Sequence, residues 1–174
     1  KVFEGNSTEA VGYYLKGDAE TQNKKTFGKE YDKNDFSLQE ISLSPIGKTT
    51  DDILDEYNEI ELHTTITIKK KSENLHLTYV LNNENGEPLF TFSHINSHQK
   101  LKNGINFVTC TFPKGYLNIG TYYLSIYIIE NSKTTLFTEK DIMTFSIQEG
   151  ERKLGSWMGK EPGFIKPIFN WRIN

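Results

Sequence analysis

Gly47-Lys48-Thr49 is the combination that closes a phosphate-binding loop, where the lysine reaches the phosphates and the hydroxyl holds a magnesium ion. Such a loop needs a glycine five positions before Gly47 so that backbone amides turn inward, and that position is Ser42, inside an alternating apolar and polar run. The triplet therefore reads as a surface loop. His94 and His98 stand at H-x3-H spacing, but a zinc site takes three or four ligands, and neither a cysteine pair nor an H-E-x-x-H context accompanies them. They read as turn-exposed imidazoles. Asp51, Asp52, Asp55, Glu56 and Glu59 hold enough carboxylate for calcium or for a glycosidase pair. No Asp-x-Asp-x-Asp-Gly order organises them, so a solvated loop is the expectation. There is no Gly-x-Ser-x-Gly elbow, and Cys110 falls in a strand, where a buried small hydrophobe is the default. No catalytic residue, metal or cofactor is expected, and the chain should act by binding.

The composition is consistent with a binding domain. The chain has 174 residues, enough to bury a core without disulfides, and its one cysteine excludes an internal bridge. Net charge is −3, with lysine and arginine dispersed among acidic residues, so no positive field suited to nucleic acid is expected. No run of about 18 apolar residues is long enough to cross a bilayer as a helix. The fragment is expected to be soluble and cytoplasmic. Nine tyrosines and eleven phenylalanines suit both a β core and stacking on sugar rings.

The elements that must position these residues are strands. Phe36, Leu38, Ile41 and Leu43 alternate with polar neighbours until Pro45 and Gly47 end the run. Ile60, Leu62, Ile66 and Ile68 do the same across a long half-buried strand, and Leu75, Leu77, Tyr79 and Leu81 repeat it. Asn85-Gly86 predicts a hairpin turn into Leu89 to Ile95. Further strands are expected at Ile105 to Phe112, Thr121 to Glu130 and Leu136 to Gln148. Strands at this spacing with no helix between them predict an all-β antiparallel β-sandwich, immunoglobulin-like or jelly-roll-like. Residues 16–35 read as a polar linker, 36–148 as the sandwich, and 149–174 as an apolar tail carrying Trp157 and Trp171. A tail this apolar behind a glycine-containing hinge is expected to exchange between protomers.

Alternation also predicts which side chains stay wet. With Ile60, Leu62, Ile66 and Ile68 inward, His63 and Thr65 point outward; with Leu75, Leu77, Tyr79 and Leu81 inward, His76 and Thr78 point outward; with Tyr122, Leu124, Ile126 and Ile128 inward, Tyr123, Ser125 and Tyr127 point outward. Imidazole, hydroxyl and phenol groups on one open sheet face suit carbohydrate, stacking on C–H faces and exchanging hydrogen bonds with hydroxyls. These seven residues are the candidate carbohydrate-binding set.

Lys1 to Leu15 runs from an extended piece through Gly5 to Asn6-Ser7-Thr8-Glu9, a helix-capping pattern, and then to Ala10, Val11 and Tyr14 at helical spacing. This cadence resembles the end of the ATPase domain of polysaccharide-exporting ABC transporters. The remainder resembles the C-terminal domain of the O-antigen ABC transporter ATPase at three passages: the hairpin around Asn85-Gly86-Glu87-Pro88-Leu89-Phe90, the strand entry from Phe112-Pro113 through Gly120-Thr121-Tyr122-Tyr123-Leu124, and the terminal Gly163-Phe164-Ile165 through Trp171. It departs from many relatives at Pro167-Ile168-Phe169-Asn170, where they carry a Pro-His pair, so no histidine role is carried to that point. The resemblance implies that residues 1–15, with their short helix, end an upstream ATPase domain. It implies a non-catalytic, carbohydrate-binding domain that recognises the terminus of a lipid-linked O-antigen polysaccharide (a lipopolysaccharide side chain) for export. The implied partners are that polysaccharide, a second copy in a homodimer, the ATP-binding domain and the transporter membrane subunit, at the inner face of the bacterial inner membrane. The alternative reading is a dimerisation and assembly domain that recruits a partner protein without binding glycan.

Overall fold

In a computed structural model, the structure describes residues 21–69, 74–151, 159, 161–167, 169 and 171–173. The expected helix and ATPase remnant within residues 1–15, the first part of the linker and Trp157 lie outside the described residues. The described chain is built of strands: β1 (Lys24–Thr26), β2 (Phe36–Pro45), β3 (Ile60–Ile68), β4 (Leu75–Asn82), β5 (Pro88–Ser93), β6 (Gly104–Phe112), β7 (Gly120–Glu130) and β8 (Thr134–Ile147). Two single-turn 3-10 helices, Lys29–Tyr31 and His94–Ser97, complete it. The strands form two four-stranded antiparallel sheets, ordered β1-β2-β3-β6 and β5-β4-β7-β8, the all-β sandwich class that the alternation predicts. Among the described residues no helix is long and apolar enough to cross a membrane.

The chain divides into two compact units, one around each sheet. In the unit of β1-β2-β3-β6, Ile60, Leu62, Thr64, Ile66 and Ile68 are buried along β3 while the residues between them are half-buried, a strict period of two. β2 cannot follow that period unaided, because its apolar residues fall at 36, 38, 41 and 43. A β-bulge resolves the mismatch. Leu38 pairs with Ile66 and Glu40 with Thr65, so Gln39 is the extra residue that returns Ile41 and Leu43 to the buried face.

Residues 21–35, expected as linker, contain an edge strand instead. Lys24 and Thr26 lie opposite Ser42 and Glu40. The Lys24 ammonium meets Glu40 at 2.9 Å, and Phe27 packs its ring on Tyr31 at 4.5 Å between centroids. Phe27 and Tyr31 are thus the apolar anchors that make this polar stretch hold its place.

The far end of the chain is fixed in the same unit. Leu117 and Ile165 form an antiparallel bridge, flanked by Asn118 N–H to Phe164 O at 3.0 Å and Lys166 N–H to Tyr116 O at 2.9 Å. The buried Asn118 amide donates to the carbonyls of Glu161 and Gly163, at 2.6 and 2.8 Å, while its own oxygen accepts from Ile119 N–H. Lys166 pairs with Glu56, which is only 3% exposed. Beyond this anchor Phe169, Trp171 and Ile173 stand exposed. Replacing Lys166 by methionine strips the ammonium from a buried carboxylate and is expected to cost on the order of 3 kcal/mol in denaturant unfolding. Pairing Lys166→Met with Glu56→Gln should return most of that loss, and additive single-mutant losses would show that the pair is not coupled.

In the unit of β5-β4-β7-β8, Leu75, Leu77, Tyr79 and Leu81 are buried on β4, beside Tyr122, Leu124, Ile126 and Ile128 on β7. Tyr122 stacks on Phe145 at 5.6 Å and Tyr79 on Phe92 at 5.1 Å. The β4–β5 hairpin turns where Asn85-Gly86 predicts, with Gly86 at φ 78°. Its hub is Asn83, buried, whose side-chain oxygen accepts from the N–H groups of Asn85 and Glu87 at 3.0 and 2.9 Å. Its amide donates to the Glu87 carboxylate at 2.8 Å. Asn83→Ala removes three bonds and leaves buried donors to be satisfied afresh, so a loss of about 2–3 kcal/mol is expected in thermal or chemical unfolding. Asn83→Asp keeps the acceptor but sets a buried carboxylate against Glu87, so it should lose less only when paired with Glu87→Gln, which restores a donor.

Candidate functional site

The seven expected binding residues do not share one sheet face, as the alternation alone suggests; strand pairing puts β3 in one sheet and β4 and β7 in the other. His63 and Thr65 lie on β3, on the face opposite the buried isoleucines. Register places His63 between Ser42 and Thr109, and Thr65 between Glu40 and Phe107. One nitrogen of the His63 ring, Nδ1, sits 3.2 Å from the Thr109 hydroxyl, and the other, Nε2, lies 3.4 Å from the Glu61 carboxylate. Phe107 is 79% exposed, with Ile105 beside it on the same face of β6. An unshielded aromatic ring flanked by imidazole and hydroxyl groups is what a sugar ring needs, an apolar plate with hydrogen bonds at its rim. Phe107 is absent from the sequence-derived set. Its phase becomes readable only once the β3–β6 register is known.

The other five lie on β4 and β7. Thr78 and Tyr127 are direct cross-strand partners and half-buried, while His76, expected outward, is buried at 7% exposure opposite Ile129, its ring against that of His94. Tyr123 and Ser125 occupy the expected face but are only 5% and 3% exposed. The Ser125 hydroxyl accepts from Asp141 N–H at 3.0 Å, which holds Asp141 in a left-handed conformation at φ 51°. The Asn82 amide donates to the same hydroxyl at 3.4 Å. Burial, and then the carboxylates of Asp141 and Glu84, raise the Tyr123 phenol above its usual range, so it stays a protonated donor.

At one end of β4 a cleft of 390 Å³ is lined by His76, His94, His98, Lys100, Asn131 and Ser132, among others. His94 is half-buried, where the H-x3-H spacing suggests an exposed turn. The reason is local: Ser93 caps the 3-10 turn from its side chain, and the turn folds back so that His94 Nδ1 accepts from Leu77 N–H at 3.0 Å. The His76 and His94 rings meet edge to face at 6.5 Å between centroids. Among the described residues no group of three or more His, Cys, Asp or Glu side chains is placed to hold a metal ion.

The acidic stretch before β3 is turn chemistry. Asp52 accepts from the N–H and hydroxyl of Thr49, both at 2.8 Å, and these bonds lower its carboxyl below the usual range. The Asp55 carboxylate accepts from Tyr57 N–H at 2.8 Å, and Glu56 holds Lys166. Burial raises the Cys110 thiol, which keeps it out of the reactive thiolate form.

These strands and registers define an all-β antiparallel domain with polar and aromatic outer faces. No family model and no curated protein matches the chain. Among solved structures, one described as the crystal structure of the C-terminal domain of wzt is similar over 99% of this chain and 99% of that one, with a TM-score of 0.62 and 14% identity. The likeness establishes the fold and bears out, at that level, the resemblance read from the sequence.

Burial first, and then the neighbouring His76 imidazole, hold His94 below the ordinary histidine range. A folded-state value below the unfolded one means that the unfolded chain binds more protons in the interval between them. Stability is therefore expected to fall as pH drops from about 7.5 through the unfolded histidine value of about 6.5, and to level off below the folded value. His94→Asn keeps an acceptor for Leu77 N–H and removes the titration. Unfolding curves at pH 7.5 and 5.5 should show a smaller difference for the variant than for the parent, and equal differences would contradict the assignment.

Proposed function

We propose that this chain is a non-catalytic carbohydrate-binding domain that recognises the terminus of a lipid-linked O-antigen polysaccharide during ABC-transporter export. The observation that carries the reading is the exposed Phe107 ring on an open sheet face beside His63, Thr65 and Thr109. It is supported by the end-to-end likeness to the C-terminal domain of wzt and by the three sequence passages that resemble exporter ATPase C-terminal domains. On this reading, Phe107 stacks against a sugar ring, and His63 and Thr65 bond its hydroxyls. Thr78 and Tyr127 offer a second, half-buried polar surface on their own sheet, with His76, Tyr123 and Ser125 buried in the same sheet. The domain acts from the cytoplasmic face of the inner membrane, attached to an ATPase domain and its membrane subunit. Weak single-site binding gains avidity from a homodimer.

The test is a titration of the chain with the polysaccharide of the organism that encodes it, followed by amide NMR. Shifts are expected at residues 61–67 and 105–111, and Phe107→Ala should weaken binding about tenfold, the value of one aromatic stacking contact. Absence of shifts with that polysaccharide would overturn the reading.

A second reading is favoured by one observation. Phe169, Trp171 and Ile173 alternate with polar residues and stand exposed, Trp171 at 85%, beyond the anchored Lys166. An alternating apolar segment of this kind suits exchange between protomers, and makes the domain a dimerisation and assembly module that recruits a partner protein. Deleting residues 168–174 separates the two readings. A truncated chain that turns monomeric and still binds polysaccharide places assembly and recognition on different surfaces, whereas a dimeric parent that never binds polysaccharide favours assembly alone.

A further inference from the structure

The cleft at the end of β4 has a chemistry unlike that of the open sheet faces. Among the described residues no carboxylate lines it, although the chain carries 23 Asp and Glu against 20 Lys and Arg. Two of its acceptors are already engaged inside the protein. His94 Nδ1 takes Leu77 N–H, so the ring presents an N–H from Nε2. Asn131 Oδ1 takes the amide of Asn74 at 2.9 Å, which leaves the Asn131 amide N–H groups to serve a ligand. Lys100 adds an ammonium and His76 and His98 add imidazoles to this lining, and Lys100 has no carboxylate within ion-pair distance among the described residues.

The backbone around the cleft is held in an unusual state. Of the four described non-glycine residues with positive φ, three line it: His98 at 58°, Asn131 at 52° and Ser132 at 55°. Asn131 and Ser132 form the two-residue turn between β7 and β8, closed by Lys133 N–H to Glu130 O at 3.1 Å. Left-handed conformations at His98 and Ser132 cost free energy that a purely structural turn avoids with glycine. Their convergence on one 390 Å³ cleft, with donors unspent and no carboxylate among its described lining residues, is the arrangement of a preformed anion site.

We propose that this cleft binds a small oxyanion, the carboxylate or phosphate group of a ligand, through Lys100, His98, the His94 Nε2–H and the Asn131 amide. The volume accommodates a single sugar or a phosphate ester, with Ile95 as an apolar wall. The site is separate from the Phe107 face and does not rest on the polysaccharide reading.

The experiment is an NMR titration of the full chain with inorganic phosphate, with glucuronate and with glucose as the neutral control. Amides of residues 74–76, 94–100 and 131–132 are expected to shift with at least one anion and to stay still with glucose. Phosphate alone points to a phosphate ester as the natural source and glucuronate alone to an acidic sugar, and either result supports the site. Lys100→Ala should weaken the response at least about fivefold, as loss of a charge-assisted hydrogen bond does. His98→Asn, which tolerates the left-handed backbone, should weaken it without unfolding the loop. An equal response to glucose, silence toward both anions at tens of millimolar, or a folded Lys100→Ala variant that binds as the parent does would each overturn the proposal.

Discussion

Strand register is the constraint on which the rest of this structure depends. In a sheet with one buried face, a slip of one residue carries every apolar side chain to the wrong side, so the buried row chooses the register and the exposed row inherits its place. β4 and β7 are matched from Leu75 with Glu130 to Asn82 with Tyr123, and that match alone sets Thr78 against Tyr127 and Val80 against Ser125. β3 and β6 are matched from Ile60 with Phe112 to Ile68 with Gly104, which delivers Phe107 beside Thr65. The surface chemistry is thus a by-product of core packing, positioned by isoleucines and leucines that never meet a ligand.

Much of this was legible in the sequence, and for identifiable reasons. The apolar residues of β2 mark it as a strand, but reading them as a plain alternation passes over the phase break between Leu38 and Ile41, which the bulge at Gln39 absorbs. Asn85-Gly86 announces the hairpin, since the turn needs one positive φ and Gly86 takes it without steric cost. Other features leave no local mark. β1 is Lys-Lys-Thr, and nothing in three polar residues declares a strand; pairing with β2 and the Phe27–Tyr31 contact make it one. The cleft is invisible for a different reason. His76, His94 and Ser132 come from three separate stretches of chain, and only the pairing of β4 with both β5 and β7 assembles them. Alternation told which face Tyr123 and Ser125 occupy, but a period of two carries no information on whether both faces are covered.

Two buried asparagines show how polar groups hold an all-β chain at its irregular points. Asn83 gathers the β4–β5 turn and Asn118 gathers the returning tail, each side chain making three hydrogen bonds of which most go to backbone groups that no strand pairs. An amide is suited to this because it donates and accepts at once. In each case burial strengthens the bonds and raises the cost of losing any of them.

The anchoring of Lys166 acts as a leash. Trp171 lies five residues beyond it, and an extended chain spans at most about 3.3–3.6 Å per residue, so the Trp171 Cα lies no more than about 18 Å from that of Lys166, with the indole a side chain's length farther. Any surface that covers the ring, on this copy or another, must present itself inside that radius. Within it the ring is confined to a small volume, and its local concentration there is on the order of tens of millimolar, so a shallow, weakly apolar recess suffices to capture it.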